Sequence, residues 1–194
     1  MNENIIRCGW CGKDELYIKY HDEEWGVPLH NDEKLFEMLC LEGMQAGLSW
    51  ITILKKRENY RKAFSNFNAK KIIKYDEEKI NKLMQNEGIV RNRLKINAII
   101  KNARAYLDVQ KEYGSFDKYI WQFVNGQPVV NKLQSISGAP SKTEISDVMS
   151  KALKKKGFTF VGSTICYAFM QATGMVNDHT INCFRYNEAN LHEK

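Results

Sequence analysis

The chain has 194 residues, of which 43% are hydrophobic and 27% are charged, and its formal net charge is +6 at pH 7. These fractions are typical of globular proteins and exclude a largely disordered chain. No apolar run approaches the ~20 residues that span a bilayer, and the first ten residues lack the apolar stretch of a signal peptide. We therefore expect a single cytoplasmic domain over residues 1–194, with no membrane segment and with a charge that suits a polyanionic partner.

The first part of the chain, about residues 1–31, differs from the rest. It is rich in aromatic residues, cysteine and histidine and has little helical periodicity, which predicts an irregular segment. Beyond it the pattern turns helical, and Asn31 or Asp32 can cap a first helix. Leu35, Met38 and Leu39 then recur on one face at the helical period.

The body of the chain, about residues 32–176, has the periodicity of helices throughout. Further helices are predicted over residues 50–64, 69–84, 93–113, 116–124, 144–156 and 164–173. Ser115 is suited to cap the start of one helix, and Gly157 and Gly174 to end two others. Residues 125–142 form one long polar loop, no alternating strand pattern occurs, and about residues 177–194 form a C-terminal segment. The predicted fold class is therefore all-α.

An acidic residue interrupts the apolar stripe of the first predicted helix. Glu42 lies seven positions after Leu35, where the helical period calls for an apolar side chain. Burying a carboxylate without partners is costly, so an inward-facing Glu42 is a candidate functional residue. The alternative is that the helix ends near Gly43 and that Glu42 faces solvent.

Aromatic side chains are concentrated in the same part of the chain. Trp10, Tyr17, Tyr20 and Trp25 lie in the N-terminal segment, and Trp50 follows shortly after the acidic residue. Flat π faces can hold a nucleobase extruded from a duplex, and their negative faces suit a cationic base. An aromatic core with polar tips is the alternative interpretation.

Cysteine and histidine residues indicate a metal site. Cys8 and Cys11 form a CxxC motif, which is typical of half a zinc site or of a redox dithiol, although the alternating β/α context of redox enzymes is missing. His179 and Cys183 are four positions apart, so one helical turn would place them on one face. Together with His21 and either Cys8 or Cys11, they supply enough ligands for a closed, structural zinc site.

The pattern over residues 151–174 predicts a basic helix end, a short hairpin and a new helix from about residue 163. Gly157 and Gly162 allow close backbone approach, and a helix N-terminus with free amides binds anions such as a DNA phosphate. An ordinary turn between two helices, with lysines that complement the C-terminus of the first helix, is the alternative.

Four segments of the chain carry highly specific motifs. They are RCGW at 7–10, YHDEEWGVP at 20–28, LFEMLCLEGMQAGLSWITILKKRENY at 35–60 and GFTFVGSTICYAFMQATGMVNDH at 157–179. Together they resemble the bacterial DNA-3-methyladenine glycosylase I family, over nearly the whole chain from residue 8 to residue 183. The resemblance implies a helix-hairpin-helix enzyme that removes 3-methyladenine from alkylated double-stranded DNA and releases the free base.

The resemblance also implies functions for individual residues of the site. Glu42 would recognise the base, and its pocket would be walled by the rings of Trp10, Tyr17, Tyr20 and Trp50. One structural zinc ion would join the N- and C-terminal segments, held by Cys8, His21, His179 and Cys183. Cys11 would then lie outside the metal site.

For DNA binding, the resemblance implies two segments. Residues 46–48 would enter the base stack, with Leu48 beside Gly47 as the plug, and the hairpin would hold a phosphate through Gly157, Val161, Gly162 and Ser163. The hairpin lacks the lysine that bifunctional relatives carry, so we expect a monofunctional enzyme, and the resemblance implies a monomer. Asp178 is the nearest match to an aspartate that many members of the wider superfamily carry, and the sequence does not place its side chain relative to DNA.

Two other functions fit some of the same residues. A zinc-stabilised DNA-binding protein of this fold without catalysis is the first, and the presence of Glu42 and the aromatic set argues against it. A thiol–disulfide enzyme that uses Cys8 and Cys11 is the second. It would have a cysteine of low pKa and would leave alkylated DNA intact.

Overall fold

The computed structural model describes residues 5–189, which form mainly helices. The helices are α1 (Glu15–Glu23), α2 (Asp32–Gln45), α3 (Trp50–Ala63), α4 (Ala69–Ile72), α5 (Glu77–Gln85), α6 (Arg93–Tyr113), α7 (Phe116–Trp121), α8 (Glu144–Lys155), α9 (Ser163–Ala172) and α10 (Arg185–Ala189). Short 3-10 turns occur at Gly9–Cys11, Ser65–Phe67, Gln122–Val124 and Ile136–Gly138. The prediction of a helical protein is confirmed.

Helix α2 lies at the centre of the fold. It packs against α3, α6, α7 and α9, and its side chains from Leu35 to Met44 are buried at nearly every position. As predicted, Asn31 caps its start, because the Asn31 side chain accepts a hydrogen bond from the Lys34 backbone N–H at 3.0 Å. A helix surrounded on several sides is held rigidly, and α2 carries the acidic residue that interrupts the apolar stripe.

The prediction of an irregular N-terminal segment is wrong, because this segment contains α1. Asp14 caps the helix by accepting hydrogen bonds from backbone N–H groups of the first turn. Tyr17, Tyr20 and His21 recur on one face at i, i+3 and i+4. Since rings and an imidazole occupy the places that aliphatic residues usually take, a search for aliphatic periodicity misses this helix.

The single helix predicted over residues 69–84 is divided into α4 and α5. Asp76 caps the start of α5 by accepting a hydrogen bond from the Lys79 backbone N–H at 2.8 Å. Aspartate competes with helical hydrogen bonding through its short side chain and therefore favours a cap over a helix interior. The helix predicted over residues 116–124 ends at Trp121 and continues as a 3-10 turn.

The predicted helix boundaries at Ser115, Gly157 and Gly174 are confirmed. Ser115 accepts a hydrogen bond from the Lys118 backbone N–H at 3.1 Å, and both glycines have positive φ just after α8 and α9. Gly174 is also constrained by space, because a Cβ atom there would lie 2.3 Å from the backbone of residues 27 and 28. The backbone at the end of α9 therefore packs directly against the backbone of the N-terminal segment.

The prediction of a chain without strands is wrong in one small region. β1 (Val129–Val130) and β2 (Val176–Asn177) pair in parallel, and Leu133 forms a further bridge with Thr180. Strands of two residues are too short to give an alternating pattern in the sequence. The pairing fixes the long loop 125–142 against the segment that follows α9. Within residues 5–189, no helix has both the length and the apolar character needed to cross a bilayer.

Candidate functional site

Glu42 is buried on α2 and lacks a full set of hydrogen-bond partners. Its side chain is 3% exposed, and its Oε2 atom meets no donor in the part of the chain that the structure describes. Burial raises the pKa of the Glu42 carboxyl from its ordinary 4.5 to about 8. An acid held in this way acquires a partner when a ligand brings a hydrogen-bond donor or a positive charge.

The side chain of Glu42 lines a cavity of about 230 Å³. The rings that line the same cavity belong to Trp10, Tyr17, Tyr20, Trp25 and Trp50. The Trp10 and Tyr17 centroids lie 4.8 Å apart, and those of Tyr20 and Trp50 lie 5.4 Å apart, so the rings form a contiguous wall. The cavity is smaller than the roughly 300–1,000 Å³ of pockets for drug-sized ligands, and its volume suits one flat heterocycle.

Several wall residues offer polar atoms that lack partners. The indole Nε1 atoms of Trp10 and Trp50 are buried without an acceptor among residues 5–189. Burial and then the charge of Glu42 raise the pKa of Tyr20 well above its ordinary value, which keeps its hydroxyl protonated. Buried donors and acceptors without partners are uncommon in native cores, and their concentration around one cavity indicates a ligand site.

The sequence identified four of the five rings as pocket walls and missed several other residues that line the cavity. Trp25 belongs to the aromatic cluster of the sequence, but the family resemblance does not assign it to the pocket wall. The further wall residues are Gln45, Ile136, Ala139, Ala168 and Gln171. Ile136 and Ala139 come from the long loop and Ala168 and Gln171 from α9, far from Glu42 in sequence. Ala168 and Gln171 do recur at helical spacing, but that spacing alone does not separate a pocket wall from a core face.

A second, smaller cavity continues the first toward the surface. It has a volume of about 200 Å³, shares Glu42, Gln45 and Ala168 with the first, and is bordered by residues 46–48 and by the first turn of α9. Leu48 is 41% exposed at this mouth, and Gly47 has φ +77°, a conformation that favours glycine. The structure therefore places the predicted plug, Leu48 beside Gly47, at the entrance of the pocket that contains Glu42.

Lys95 holds the end of α2 at this entrance, and no sequence signal identified it. Its ammonium group donates hydrogen bonds to the carbonyl oxygens of Met44 at 2.7 Å and Ala46 at 2.6 Å. The side chain is only 6% exposed, and burial lowers the pKa of Lys95. A cation at a helix C-terminus satisfies the last carbonyls and complements the helix dipole.

The connection between α8 and α9 presents free amides at the start of α9. Gly162 caps α9 without a side-chain hydrogen bond, and the backbone N–H groups of residues 163–165 meet no acceptor in the described range 5–189. Val161 is buried, and its carbonyl accepts a hydrogen bond from the Ser150 hydroxyl at 2.7 Å. The Ser163 side chain, as a hydrogen-bonding neighbour, lowers the pKa of Asp147. The predicted Gly157, Val161 and Gly162 thus lie in the connection, and Ser163 begins α9, where free backbone amides can bind an anion.

Four residues from the two ends of the chain form a buried cluster. Cys8, His21, His179 and Cys183 each offer a ligand atom, and these atoms lie within 4.8 Å of one another. His179 Nδ1 is 3.5 Å from both Cys8 Sγ and Cys183 Sγ, and Cys183 Sγ is 3.5 Å from His21 Nε2. With Zn–S of about 2.3 Å and Zn–N of about 2.0–2.1 Å, sulfur and nitrogen at tetrahedral corners lie about 3.6 Å apart. The spacing therefore fits zinc.

Neighbouring groups orient the ligand atoms of this cluster. His21 Nδ1 is hydrogen-bonded to Asp22 at 2.7 Å, and His179 Nε2 is hydrogen-bonded to the Trp25 carbonyl at 3.0 Å, which directs the opposite ring nitrogens into the cluster. A hydrogen bond with Cys183 lowers the pKa of Cys8 to about 7, as a thiolate ligand requires. These contacts match those around structural metal sites.

The structure corrects one sequence expectation around the cluster and agrees with another. His179 and Cys183 are brought together by a turn after β2, with the Cys183 backbone N–H bonded to the Thr180 carbonyl at 2.8 Å, and not by a helical turn. Cys11 lies outside the cluster: its thiol donates to the Cys8 carbonyl at 3.1 Å, and burial raises the pKa of Cys11. The Cys8 sulfur instead lies in the four-residue cluster, 3.5 Å from His179 Nδ1, which favours a metal site over the dithiol interpretation of the CxxC motif.

Comparison with known proteins agrees with this geometry. A family model described as methyladenine glycosylase matches residues 10–186. The chain is 57% identical over 180 residues to DNA-3-methyladenine glycosylase 1 of Escherichia coli (strain K12), covering 93% of this chain and 96% of that protein. A crystal structure of 3-methyladenine DNA glycosylase I superimposes with a TM-score of 0.91 at 56% identity, over 92% of this chain and 98% of the other. A variant of such an enzyme in complex with 3-methyladenine superimposes with a TM-score of 0.89 at 38% identity, over 92% and 96%.

The likeness in sequence and in fold extends over nearly the whole chain. It defines the protein as an enzyme of the DNA glycosylase class. Within that class, the chain belongs to the methyladenine glycosylase family. The family resemblance and the enzyme class predicted from the sequence are confirmed.

Proposed function

We propose that this protein hydrolyses the N-glycosidic bond of 3-methyladenine in alkylated double-stranded DNA, as a monofunctional enzyme of base excision repair. The observation that carries the proposal is the buried Glu42 carboxyl, with an unpartnered oxygen, in an aromatic cavity. The relatives support the substrate, since one bears the name of this activity and another was solved in complex with 3-methyladenine. We further infer a monomeric protein acting in the cytoplasm, with residues 1–194 forming one domain.

Charge and shape explain how the pocket selects its base. Methylation at N3 gives the adenine of DNA a formal positive charge, which the negative faces of the surrounding rings attract. Without a bound base, the raised pKa keeps Glu42 largely protonated at neutral pH. A cationic base lowers that pKa and stabilises the carboxylate, so an ion pair forms only with a charged base. Glu42 then accepts a hydrogen bond from the exocyclic amine or the protonated edge of the base.

Hydrolysis needs little further assistance once the cationic base is bound. The base departs as a neutral molecule with the electrons of the glycosidic bond, and the sugar passes through an oxocarbenium-like state. Water supplies the oxygen that joins C1′ and releases its proton to solvent. The hairpin at 157–163 contains no lysine, so no Schiff base forms and the abasic strand stays intact. Asp178 is fully buried and saturated with hydrogen bonds, which disfavours a direct contact with DNA.

Two segments at the pocket entrance are suited to hold a distorted duplex. Leu48 would fill the space that the extruded base leaves, in the manner of other apolar wedges. The free amides at the start of α9 would bind a phosphate, with α8, the connection and α9 acting as a helix-hairpin-helix element.

We propose that Cys8, His21, His179 and Cys183 hold one structural zinc ion. The four buried donors and their spacing support zinc, and four protein ligands leave no position for water or substrate. The ion would fix the N-terminal segment, which supplies most of the pocket rings, against the segment that follows α9. Its contribution is to folding, and the reaction takes place at Glu42.

The test of this function is incubation with methylated genomic DNA, followed by chromatography of the released bases. We expect 3-methyladenine to appear faster than in enzyme-free DNA, and the strand to break only after alkali treatment. The variant Glu42→Gln should release the base at least tenfold more slowly and bind undamaged duplex as the parent does.

A DNA-binding protein of this fold without catalysis is the competing function. Binding of duplex DNA without any base release above the enzyme-free rate would establish that function and overturn the proposal. Full activity of Glu42→Gln would leave the glycosylase assignment in place and remove Glu42 from the recognition of the base.

A further inference from the structure

Asp178 lies behind the pocket, in the segment that follows β2. Its side chain is fully buried and accepts three hydrogen bonds of 2.7 Å each. The Asn131 amide donates to Oδ1, and the Tyr167 hydroxyl and the Gln171 amide both donate to Oδ2. A buried carboxylate with three donors is a stable, well-fixed group.

Gln171 connects this carboxylate to the base pocket. Its side chain lines the cavity one helical turn after Ala168, and its Nε2 atom donates to Asp178. An ionised carboxylate only accepts hydrogen bonds, so the NH₂ group of the amide must face Asp178 and the carbonyl must face away from it. Within residues 5–189, Gln171 Oε1 receives no hydrogen bond from the protein. The direction of the Gln171 amide is therefore fixed, with its carbonyl oxygen pointing away from Asp178.

We propose that Asp178 is a positioning residue that orients the Gln171 amide so that its carbonyl oxygen faces the base, and that this oxygen selects adenine lesions over guanine lesions. The inference deepens the proposed function and rests on it. The exocyclic amine of 3-methyladenine has two hydrogens, one for Glu42 and one for Gln171. The guanine analogue, 3-methylguanine, carries an oxygen in place of the exocyclic amine. Its lone pairs would face the two acceptor oxygens of Glu42 and Gln171. Sites built around a substrate donor reject analogues that lack it.

The variant Asp178→Asn tests whether the carboxylate sets this direction. An asparagine offers both a donor and an acceptor, so the Gln171 amide can pair with it in either orientation. The variant Gln171→Leu removes the carbonyl while it keeps most of the volume. Tyr167→Phe is the matched control, because it removes one hydrogen bond from the same carboxylate oxygen and leaves the bond to Gln171.

The measurement compares the initial release rates of 3-methyladenine and 3-methylguanine from one sample of methylated genomic DNA. Each rate is divided by the content of that lesion in the DNA, and the ratio of the two then equals the ratio of the kcat/KM values. We expect Asp178→Asn and Gln171→Leu to lower this ratio about tenfold and Tyr167→Phe to leave it unchanged. Thermal melting checks that each variant folds, and Gln171→Leu keeps the test open if Asp178→Asn does not fold.

Two results would overturn the inference. If Gln171→Leu keeps the parental ratio, the Gln171 carbonyl does not select the base. If Tyr167→Phe lowers the ratio as much as Asp178→Asn, a general loosening explains the effect. Both failures leave the glycosylase function intact, whereas a parent protein that releases neither base overturns the proposed function and this inference together.

Discussion

Glu42 is held in an environment that destabilises its charged form. Because its pKa in the folded protein is about 8 and its ordinary value is 4.5, Glu42 weakens the folded state progressively as the pH rises between these values. Glu42→Gln removes this effect. We expect the variant to exceed the parent in free energy of unfolding by on the order of 3 kcal/mol at pH 8.5, and by much less at pH 5. Urea denaturation at the two pH values measures the difference.

Glu33→Gln is the control for this stability experiment. Glu33 lies on the same helix but is exposed, in the first turn, where a carboxylate favours the helix dipole. Its replacement should lower stability slightly at pH 8.5, which is the opposite direction. A Glu42→Gln variant with the pH dependence of the parent would show that Glu42 is not strained in the free protein.

Trp50 offers a direct test of base stacking. Its ring is 8% exposed, lies 5.4 Å from the Tyr20 ring and lines the cavity. Stacking of a base on an aromatic side chain contributes about 1–3 kcal/mol, so Trp50→Ala should weaken binding of free 3-methyladenine about 5- to 150-fold. Isothermal titration calorimetry measures the dissociation constant. Trp50→Phe, which keeps a π face, should recover most of the affinity, and an unchanged constant in Trp50→Ala would refute the stacking role.

At the scale of single residues, the sequence predicted those side chains that break a local pattern. Glu42 could be found because a charge stood at an apolar position of a helical stripe. Lys95 and Gln171 could not, because each looks ordinary in its own helix and acquires its function from groups far away in the chain. Asp178 was visible in the sequence, but its three donors come from the long loop and α9, and only the fold brings them together.

Among the elements, the end of α2 and the first turn of α6 act as one unit. Lys95 donates to two carbonyls at the end of α2, and residues 46–48 follow directly at the mouth of the pocket. Lys95→Met leaves these carbonyls without their cation. We expect excision from DNA to fall about tenfold, because Leu48 loses its fixed position, while the affinity for free 3-methyladenine changes less than twofold.

Excision kinetics on alkylated DNA measure the effect of Lys95→Met on the entrance loop, and titration with free 3-methyladenine measures its effect on the pocket. Lys101→Met is the matched control, since Lys101 lies on the same helix and is exposed. It should behave as the parent does in the free-base titration. Equal losses in excision and in free-base affinity for Lys95→Met would show that Lys95 supports the pocket as a whole and not the entrance loop.

Long helices with aliphatic faces were predictable from periodicity, and short or aromatic elements were not. The helix after Asn31 was predicted correctly because a cap and an apolar stripe agree there. Periodicity does not predict α1, because its inward face consists of Tyr17, Tyr20 and His21. The two tyrosines line the pocket and the histidine belongs to the cysteine–histidine cluster. The two-residue strands and the 3-10 turn at Ile136–Gly138 depend on contacts across the fold, which a local pattern does not contain.

For the whole molecule, the cluster of Cys8, His21, His179 and Cys183 is the point where the N- and C-terminal segments meet. Cys8 and His179 are 171 positions apart, and closing a loop of this length costs conformational entropy that a metal ion can offset. The cluster also adjoins the pocket, because His21 follows Tyr20 in α1 and His179 is hydrogen-bonded to the Trp25 carbonyl. Removal of the proposed zinc ion should therefore loosen the wall that carries most of the rings.

We expect purified protein to contain one zinc ion per chain, as measured by mass spectrometry of the metal content. Chelation should lower the melting temperature by roughly 10 °C, as expected for the loss of a few kcal/mol in a protein of this size. Cys8→Ser should lose zinc and reproduce the lower melting temperature. Cys11→Ser is the matched control, because Cys11 is equally buried, lies three residues away and points out of the cluster. If Cys8→Ser retains zinc and Cys11→Ser loses it, the ligand is the second cysteine of the CxxC motif. If chelation does not change the melting temperature, the four side chains hold the chain ends together without an ion.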